Sequence, residues 1–189
     1  FKDASHQVQA VRGLPAAALV KHQSVFGAYT AEIAQIFQGG RQTLEFGGRF
    51  QAGQFDTHSS MKFSPPFLQL PPVVTNTVEN FRRASAYAYY TLEPWNNFFA
   101  TAGLSYDYVE YPENFRHPPI SAGQTSEDLL GPKAALVYSP ADWITLRGIY
   151  TRSLGGVSLD QSYRLEPTQL AGFVQTFRSL IPESVAGSV

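Results

Sequence analysis

The sequence predicts an all-β protein, an antiparallel up-and-down transmembrane β-barrel segment of about six long strands. Three observations carry this expectation. Apolar and polar residues alternate with a period of two along several stretches. The clear stretches run roughly 11 to 14 residues, against a mean near 5–6 for strands in general and about 9–11 to cross a bilayer at a tilt. Tight and long links alternate between them, the pattern of short periplasmic turns and long external loops in outer-membrane barrels.

The expected strands are 24–38, 41–54, 81–93, 98–111, 132–139 and 143–153. In the first, Val25, Tyr29, Ala31, Ile33 and Phe37 favour one face, while Ala34 and Ile36 blur the other. In the second, Leu44, Phe46, Gly48, Phe50 and Ala52 oppose Arg41, Thr43, Glu45, Gly47, Arg49 and Gln51. Two arginines and a glutamate on one strand face are costly in a dry core and comfortable in a water-filled lumen. The third sets Ala84, Ala86, Ala88, Tyr90 and Leu92 against Arg83, Ser85, Tyr87, Tyr89, Thr91 and Glu93. The fourth sets Phe98, Ala100, Ala102, Leu104, Tyr106 and Tyr108 against Phe99, Thr101, Gly103, Ser105, Asp107 and Val109. The fifth turns Ala134, Leu136 and Tyr138 outward. The sixth pairs Ile144, Leu146, Gly148 and Tyr150 against Thr145, Arg147, Ile149 and Thr151, with Ile149 breaking the pattern.

The tight links are Gln38–Arg41, built on Gly39-Gly40, then Glu93–Asn97 with Pro94 and two asparagines, and Ser139–Trp143 with Pro140 and Asp142. The external loops are expected at 55–80, 112–131 and 154–189. Pro65-Pro66, Pro71-Pro72 and Pro118-Pro119 block ladder pairing there. Within 166–182, Leu170, Phe173, Val174, Phe177, Leu180 and Ile181 recur at helical spacing after Pro167. That spacing fits a short helix in an external loop, or one folded back over the lumen, or a packed loop. Trp95 and Trp143 fall beside tight links, where a periplasmic aromatic girdle anchors, and Tyr106, Tyr108 and Tyr150 fall toward the other end.

Composition narrows the class. Aromatics make up 14% of the chain, with ten Tyr and fourteen Phe, which suits interfacial belts. No apolar run approaches the roughly 20 residues of a membrane-spanning helix. The net charge is −1 without a basic stripe, so nucleic acid is not an expected partner. The absence of cysteine excludes a disulfide scaffold and a thiol nucleophile. Phe1 and Val189 read as cuts in a longer protein, and six strands cannot close a barrel, for which eight is the smallest number known.

The hairpin from Leu136 through Pro140, Asp142 and Trp143 to Tyr150, Thr151, Arg152 and Ser153 resembles the strand–turn–strand of TonB-dependent receptor barrels. So does the Thr43–Phe50 strand with its Gly47-Gly48-Arg49 run. The resemblance implies a barrel of about 22 strands with a plug domain in the lumen. It further implies a bacterial outer-membrane location, a lipid bilayer around the wall, and uptake driven by an energising inner-membrane complex. The cargo it implies is a nutrient or metal chelate. A passive porin-like or structural barrel is the alternative, and a soluble β-sandwich or lipocalin-like binding module a further one. The soluble reading requires Leu44, Phe46, Leu104 and Leu146 to be buried together between two layers.

The candidate functional residues are those expected to face the lumen: Arg41, Glu45, Arg49, Arg83, Glu93, Asp107, Lys133 and Arg147. They make either a mildly basic wall that favours anionic solutes or a plug, or a set of cross-strand pairs that only keeps the wall wet, which is the plainer reading. Asn114, Phe115 and Arg116, followed by His117, are the loop candidates for ligand recognition. His6, His22, His58 and His117 have no metal-ligand spacing, and no catalytic residues or cofactor are expected. Asp107 and Glu110 fall on opposite strand faces, and there is no Gly-x-Ser-x-Gly, so an enzyme is not expected.

Overall fold

The computed structural model describes residues 2–10, 17–64, 71–114, 120–154, 165–167, 169–174 and 184–188. Its strands are β1 (Lys2–Ala10), β2 (Ala17–Gly39), β3 (Gln42–Ser64), β4 (Val73–Trp95), β5 (Phe98–Pro112), β6 (Gln124–Ala141) and β7 (Ile144–Leu154). Three short strands follow: β8 (Gln169–Leu170), β9 (Phe173–Val174) and β10 (Ser184–Ser188). One eight-stranded sheet has the order β1-β2-β3-β4-β5-β6-β7-β10, and β8 pairs with β9 in a separate hairpin. The six long strands, β2 to β7, run up and down in sequence order.

All three tight turns lie at one end. Arg41 Nη2 donates to Asn96 Oδ1 at 2.6 Å, and the Glu93 amide donates to the Arg41 carbonyl at 2.8 Å. The Ser139 amide donates to the Asn97 carbonyl at 2.9 Å, tying the β4–β5 turn to the end of β6. Gly40 (φ 58°) and Asn97 (φ 66°) occupy the left-handed region that two-residue hairpin turns require and that Gly and Asn tolerate best.

The strands are longer than the sequence pattern suggested. The first begins at Ala17 rather than 24, the loop expected at 55–80 is largely strand, and strand also enters the one expected at 112–131. β3 continues to Ser64, β4 starts at Val73, and β6 starts at Gln124. The physical reason is that outward residues here are polar on both sides of the ladder, as at Gln54, Asp56 and His58, so the two-residue contrast fades while pairing continues. The segment after Leu154 also adds β10 to β7, with Val185 opposite Ser153. No helix occurs among the described residues: where helical spacing was read, 169–174 form a hairpin, because Ala171 (φ 50°) and Gly172 (φ 82°) make a tight turn. Residues 175–182 of that expected helix lie outside the described residues.

One face of the long strands carries the apolar residues. Leu44, Phe46, Leu104 and Leu146 are 39, 43, 46 and 55% exposed, in a single sheet rather than between two layers. Ile33, Phe50, Tyr90 and Leu136 are exposed on the same outward rows. Exposed apolar surface on this scale is not a feature of monomeric soluble proteins. We call the opposite face the inner face.

Contacts divide the chain into two units. The first comprises Phe1–Tyr29, Gln51–Arg82 and Glu110–Ser126. Its inner face is closed by aromatic packing: Phe26 stacks on Phe55 with centroids 4.3 Å apart, and Phe81 meets Phe26 edge-on at 5.2 Å. Beside them Ser24 and Thr57 share a 3.0 Å hydroxyl hydrogen bond. The second unit comprises Thr30–Phe50, Arg83–Val109 and Glu127–Val189. It holds the tight turns and the charged part of the inner face.

Candidate functional site

The inner face of the second unit is built from inward rows of β2 to β7, where every second residue points the same way. On β4 and β5, Arg83 Nη2 donates to Asp107 Oδ1 at 2.9 Å, with the two side chains only 6% and 10% exposed. Ser85 Oγ donates to the same oxygen at 2.6 Å. Arg83 Nη2 also lies 3.4 Å from the Leu154 carbonyl. These contacts return part of the hydrogen bonding that burial takes from a guanidinium and a carboxylate, while the buried Arg83 Nε makes none.

A second buried pair fastens the segment after β7 to the wall. Lys133 Nζ donates to Glu166 Oε1 at 2.8 Å, at 5% and 8% side-chain exposure. Lys133 Nζ also donates to Tyr89 Oη at 2.7 Å, while that hydroxyl donates to Glu166 Oε1 at 2.6 Å. The ammonium stands 5.3 Å from the Tyr89 ring centre, within cation–π range. On the other side, the Glu166 backbone N–H donates to Glu32 Oε1 at 3.1 Å, and Tyr87 Oη donates to the same oxygen at 3.3 Å. Below this polar knot Leu170, 6% exposed, is buried with Tyr87, Tyr89, Ala135 and Ile149. Ala34, Ala171 and Phe173 pack against that cluster. Ile149, the residue that breaks the polar row of β7, therefore meets the β8–β9 hairpin rather than water.

The other residues read from the sequence fall as follows. Arg49 is buried on the inner face, and Glu45 is half-buried there. Glu93 is half-buried beside the turns, and Arg41 is exposed with its guanidinium on Asn96. Arg147 is exposed on the inner row, and a Cβ added to Gly172 would stand 2.6 Å from its Nη1, so its guanidinium lies against the hairpin turn. Asn114 is half-buried just after β5, whereas Phe115, Arg116 and His117 lie outside the described residues. Among the girdle aromatics, Trp95 and Trp143 are 55% and 84% exposed at the turn end. Trp95 stacks on Phe98 at 4.7 Å, and Phe98 meets Tyr138 at 5.9 Å. Tyr106, Tyr108 and Tyr150 are exposed on outward rows. Among the described residues, no group of three or more acidic or histidine side chains is placed to hold a metal.

Two residues essential to the wall were not singled out from the sequence. Glu32 lies on the blurred row of β2, and Glu166 opens the stretch whose apolar spacing reads as helical, which gives no strand pairing for it. With them included, two of the inward cations are seen to be paired: Asp107 answers Arg83, and Glu166 answers Lys133.

Long antiparallel strands in sequential order, apolar outside and charged inside, with tight turns at one end and a segment folded against the inner face, define part of the wall of a membrane-spanning β-barrel. The family described as TonB dependent receptor-like, beta-barrel matches residues 8–183. The chain belongs to that family, a family of outer-membrane proteins. No curated protein matches it. Among solved structures it is similar to the ferric citrate transporter FecA in the unliganded form, with a TM-score of 0.56 and 14% identity. That similarity covers 82% of this chain and 23% of the transporter, so the chain spans about a quarter of its length, and the likeness is one of fold.

Proposed function

We propose that this chain is a section of the barrel wall of an outer-membrane receptor that takes up a nutrient, with a metal chelate as the cargo class. The observation that carries the membrane part is the outward face, where Leu44, Phe46, Leu104 and Leu146 stand exposed on one sheet while Arg83, Asp107 and Lys133 are buried on its other side. Family membership and the likeness to a ferric citrate transporter support the receptor and chelate parts. On this reading the lipid bilayer surrounds the outward face, a plug domain fills the lumen, and an energising inner-membrane complex drives release. The paired inner charges suit a wall that must stay hydrated without attracting ions of either sign strongly.

The test uses the full-length protein in cells stripped of their own chelate receptors. Accumulation of radiolabelled ferric chelates is measured with and without a protonophore. Uptake that stops when the proton gradient collapses is the expected outcome. Uptake that continues unchanged, together with steady ion conductance of the pure protein in planar bilayers, assigns a passive barrel instead.

A further inference from the structure

We propose that the segment carrying Glu166 and the β8–β9 hairpin is a gate over the inner face, held shut by Lys133 and biased toward opening by Glu45. Its role in solute passage rests on the receptor reading above. Every residue of the device belongs to the second unit.

The hairpin does not hold itself. Its two strands have two residues each, and an isolated hairpin is at best marginally stable in water. Its turn places Ala171 at φ 50°, a left-handed conformation that strains a residue with a Cβ. The wall therefore fixes its position, through two tyrosines of β4 that each cross a neighbouring strand at a glycine. Tyr87 passes over Gly47 of β3 to reach Glu32 on β2, and a Cβ at Gly47 would stand 2.6 Å from Tyr87 Oη. Tyr89 passes over Gly103 of β5 to reach Lys133 on β6, and a Cβ at Gly103 would stand 2.5 Å from Tyr89 Cδ1. Glu166 meets both reaches, with its carboxylate on Tyr89 and Lys133 and its backbone N–H on Glu32.

Around this knot one negative charge is left over. Glu32, Glu45 and Glu166 all act electrostatically on Tyr87, so three carboxylates share the site. Lys133 answers Glu166, Arg49 lines one crevice with Glu32, and Arg147 lies against the hairpin turn. Glu45 is the next inward residue after Gly47 toward the tight turn, and it is half-buried. Among the described residues it has no ion-pair or hydrogen-bond partner. It stands within electrostatic reach of Glu166. Like charges in a partly desolvated site repel more strongly than in open water. This repulsion acts only while Glu166 is seated. Lifting the segment carries Glu166 away from Glu45 and lets Lys133 hydrate, so Glu45 favours the open state. Opening uncovers the Lys133 ammonium and the apolar patch of Tyr87, Tyr89 and Ile149 beneath Leu170, which widens the lumen along this part of the wall.

The test is the effect of Glu45→Gln on the full-length protein, because this change removes the charge at nearly constant volume. Hydrogen exchange at the backbone amides of Leu170 to Phe173 reads how often the segment lifts. Exchange is expected to slow by about three- to tenfold, while amides in the middle of β4 and β5 keep their rates. Glu45→Asp keeps the charge and is expected to exchange like the wild type, which separates repulsion from packing. Exchange that Glu45→Gln leaves unchanged or accelerates overturns the gate. The second measurement is uptake of radiolabelled ferric chelates by cells carrying either form at equal receptor number. Slower uptake by Glu45→Gln is expected, and equal uptake beside slowed exchange overturns the role in passage. No uptake by the wild type, with the exchange pattern as expected, sinks the receptor reading and leaves the opening mechanism standing.

Discussion

The Lys133–Glu166 pair is expected to act as the clasp of the in-turned segment, so Glu166→Gln should release that segment and leave the barrel wall standing. The substitution removes the carboxylate and leaves a Lys133 ammonium, 5% exposed, with Tyr89 Oη as its remaining partner among the contacts described above. Stranding one member of a buried pair costs about 3–5 kcal/mol if nothing moves. The protein has a cheaper route: residues 165–174 lift off and Lys133 hydrates. That route gives up the burial of Leu170, worth about 1.5–3 kcal/mol, so the penalty is limited to the docking free energy. The docked state should weaken by about 2–3 kcal/mol, or roughly 30- to 150-fold in the opening equilibrium. Hydrogen exchange of the full-length protein, followed by mass spectrometry, reads this directly at the backbone amides of Leu170 to Phe173. Their exchange should accelerate by that factor while amides in the middle of β4 and β5 keep their protection. Adding Lys133→Met removes the stranded charge and should restore most of the lost protection. The refuting result is a coupling between the two substitutions under about 0.5 kcal/mol, the level of an exposed pair.

Three further outcomes are expected. Leu104→Arg, which places a charge on the outward face, should destabilise bilayer-folded protein by about 2–4 kcal/mol in urea titration, whereas Phe99→Arg on the inner row of the same strand should change it little. Gly47→Ala should cost about 1–3 kcal/mol, because its Cβ would stand 2.5 Å from the Ile33 carbonyl and 2.6 Å from Tyr87 Oη; Gly48→Ala, whose nearest neighbour is 3.4 Å away, should be close to neutral, and the heat-modifiability midpoint separates the two. Phe81→Ala removes ring contacts to both Phe26 and Phe55 and should cost about 3–5 kcal/mol, seen as faster exchange in Gln51–Arg82.

How much of this was legible in the sequence follows from what each face meets. Between Leu44 and Phe50, or Ala84 and Leu92, one side chain meets lipid and the next meets water. The chemistry of the two sides is opposed, and a period of two is written into the residues. Faces, tight turns and the Trp95 and Trp143 positions could therefore be read directly. Above the band both sides meet water or other protein, as where outward Asp56 and His58 flank inward Phe55, Thr57 and Ser59. The contrast then inverts or vanishes, and real strand reads as loop. The paired state of the inner charges was legible for Arg83 and Asp107, which sit on adjacent expected strands. It was not legible for Lys133, whose partner lies 33 residues away at the start of a segment whose spacing is helical rather than strand-like.

The in-turned hairpin is hard to read because two-residue strands are too short to display a period, and Leu170 and Phe173 at a spacing of three imitate a helix. A signal did exist elsewhere in the chain. Ile149 is an apolar side chain on a row otherwise filled by Thr145, Arg147 and Thr151, and leaving it in a wet lumen forfeits about 1.5–3 kcal/mol of burial. Such a break calls for an apolar cover from some other segment. Leu170 is that cover, 6% exposed against Ile149, Tyr87 and Tyr89. Phe26, Phe55 and Phe81 break the inward polar rows in the same way and cover one another. On a wall where alternation is the rule, the exceptions thus locate what leans against it. The same argument makes Ile149→Thr, which restores the polar row, a second way to loosen the hairpin without touching a charge.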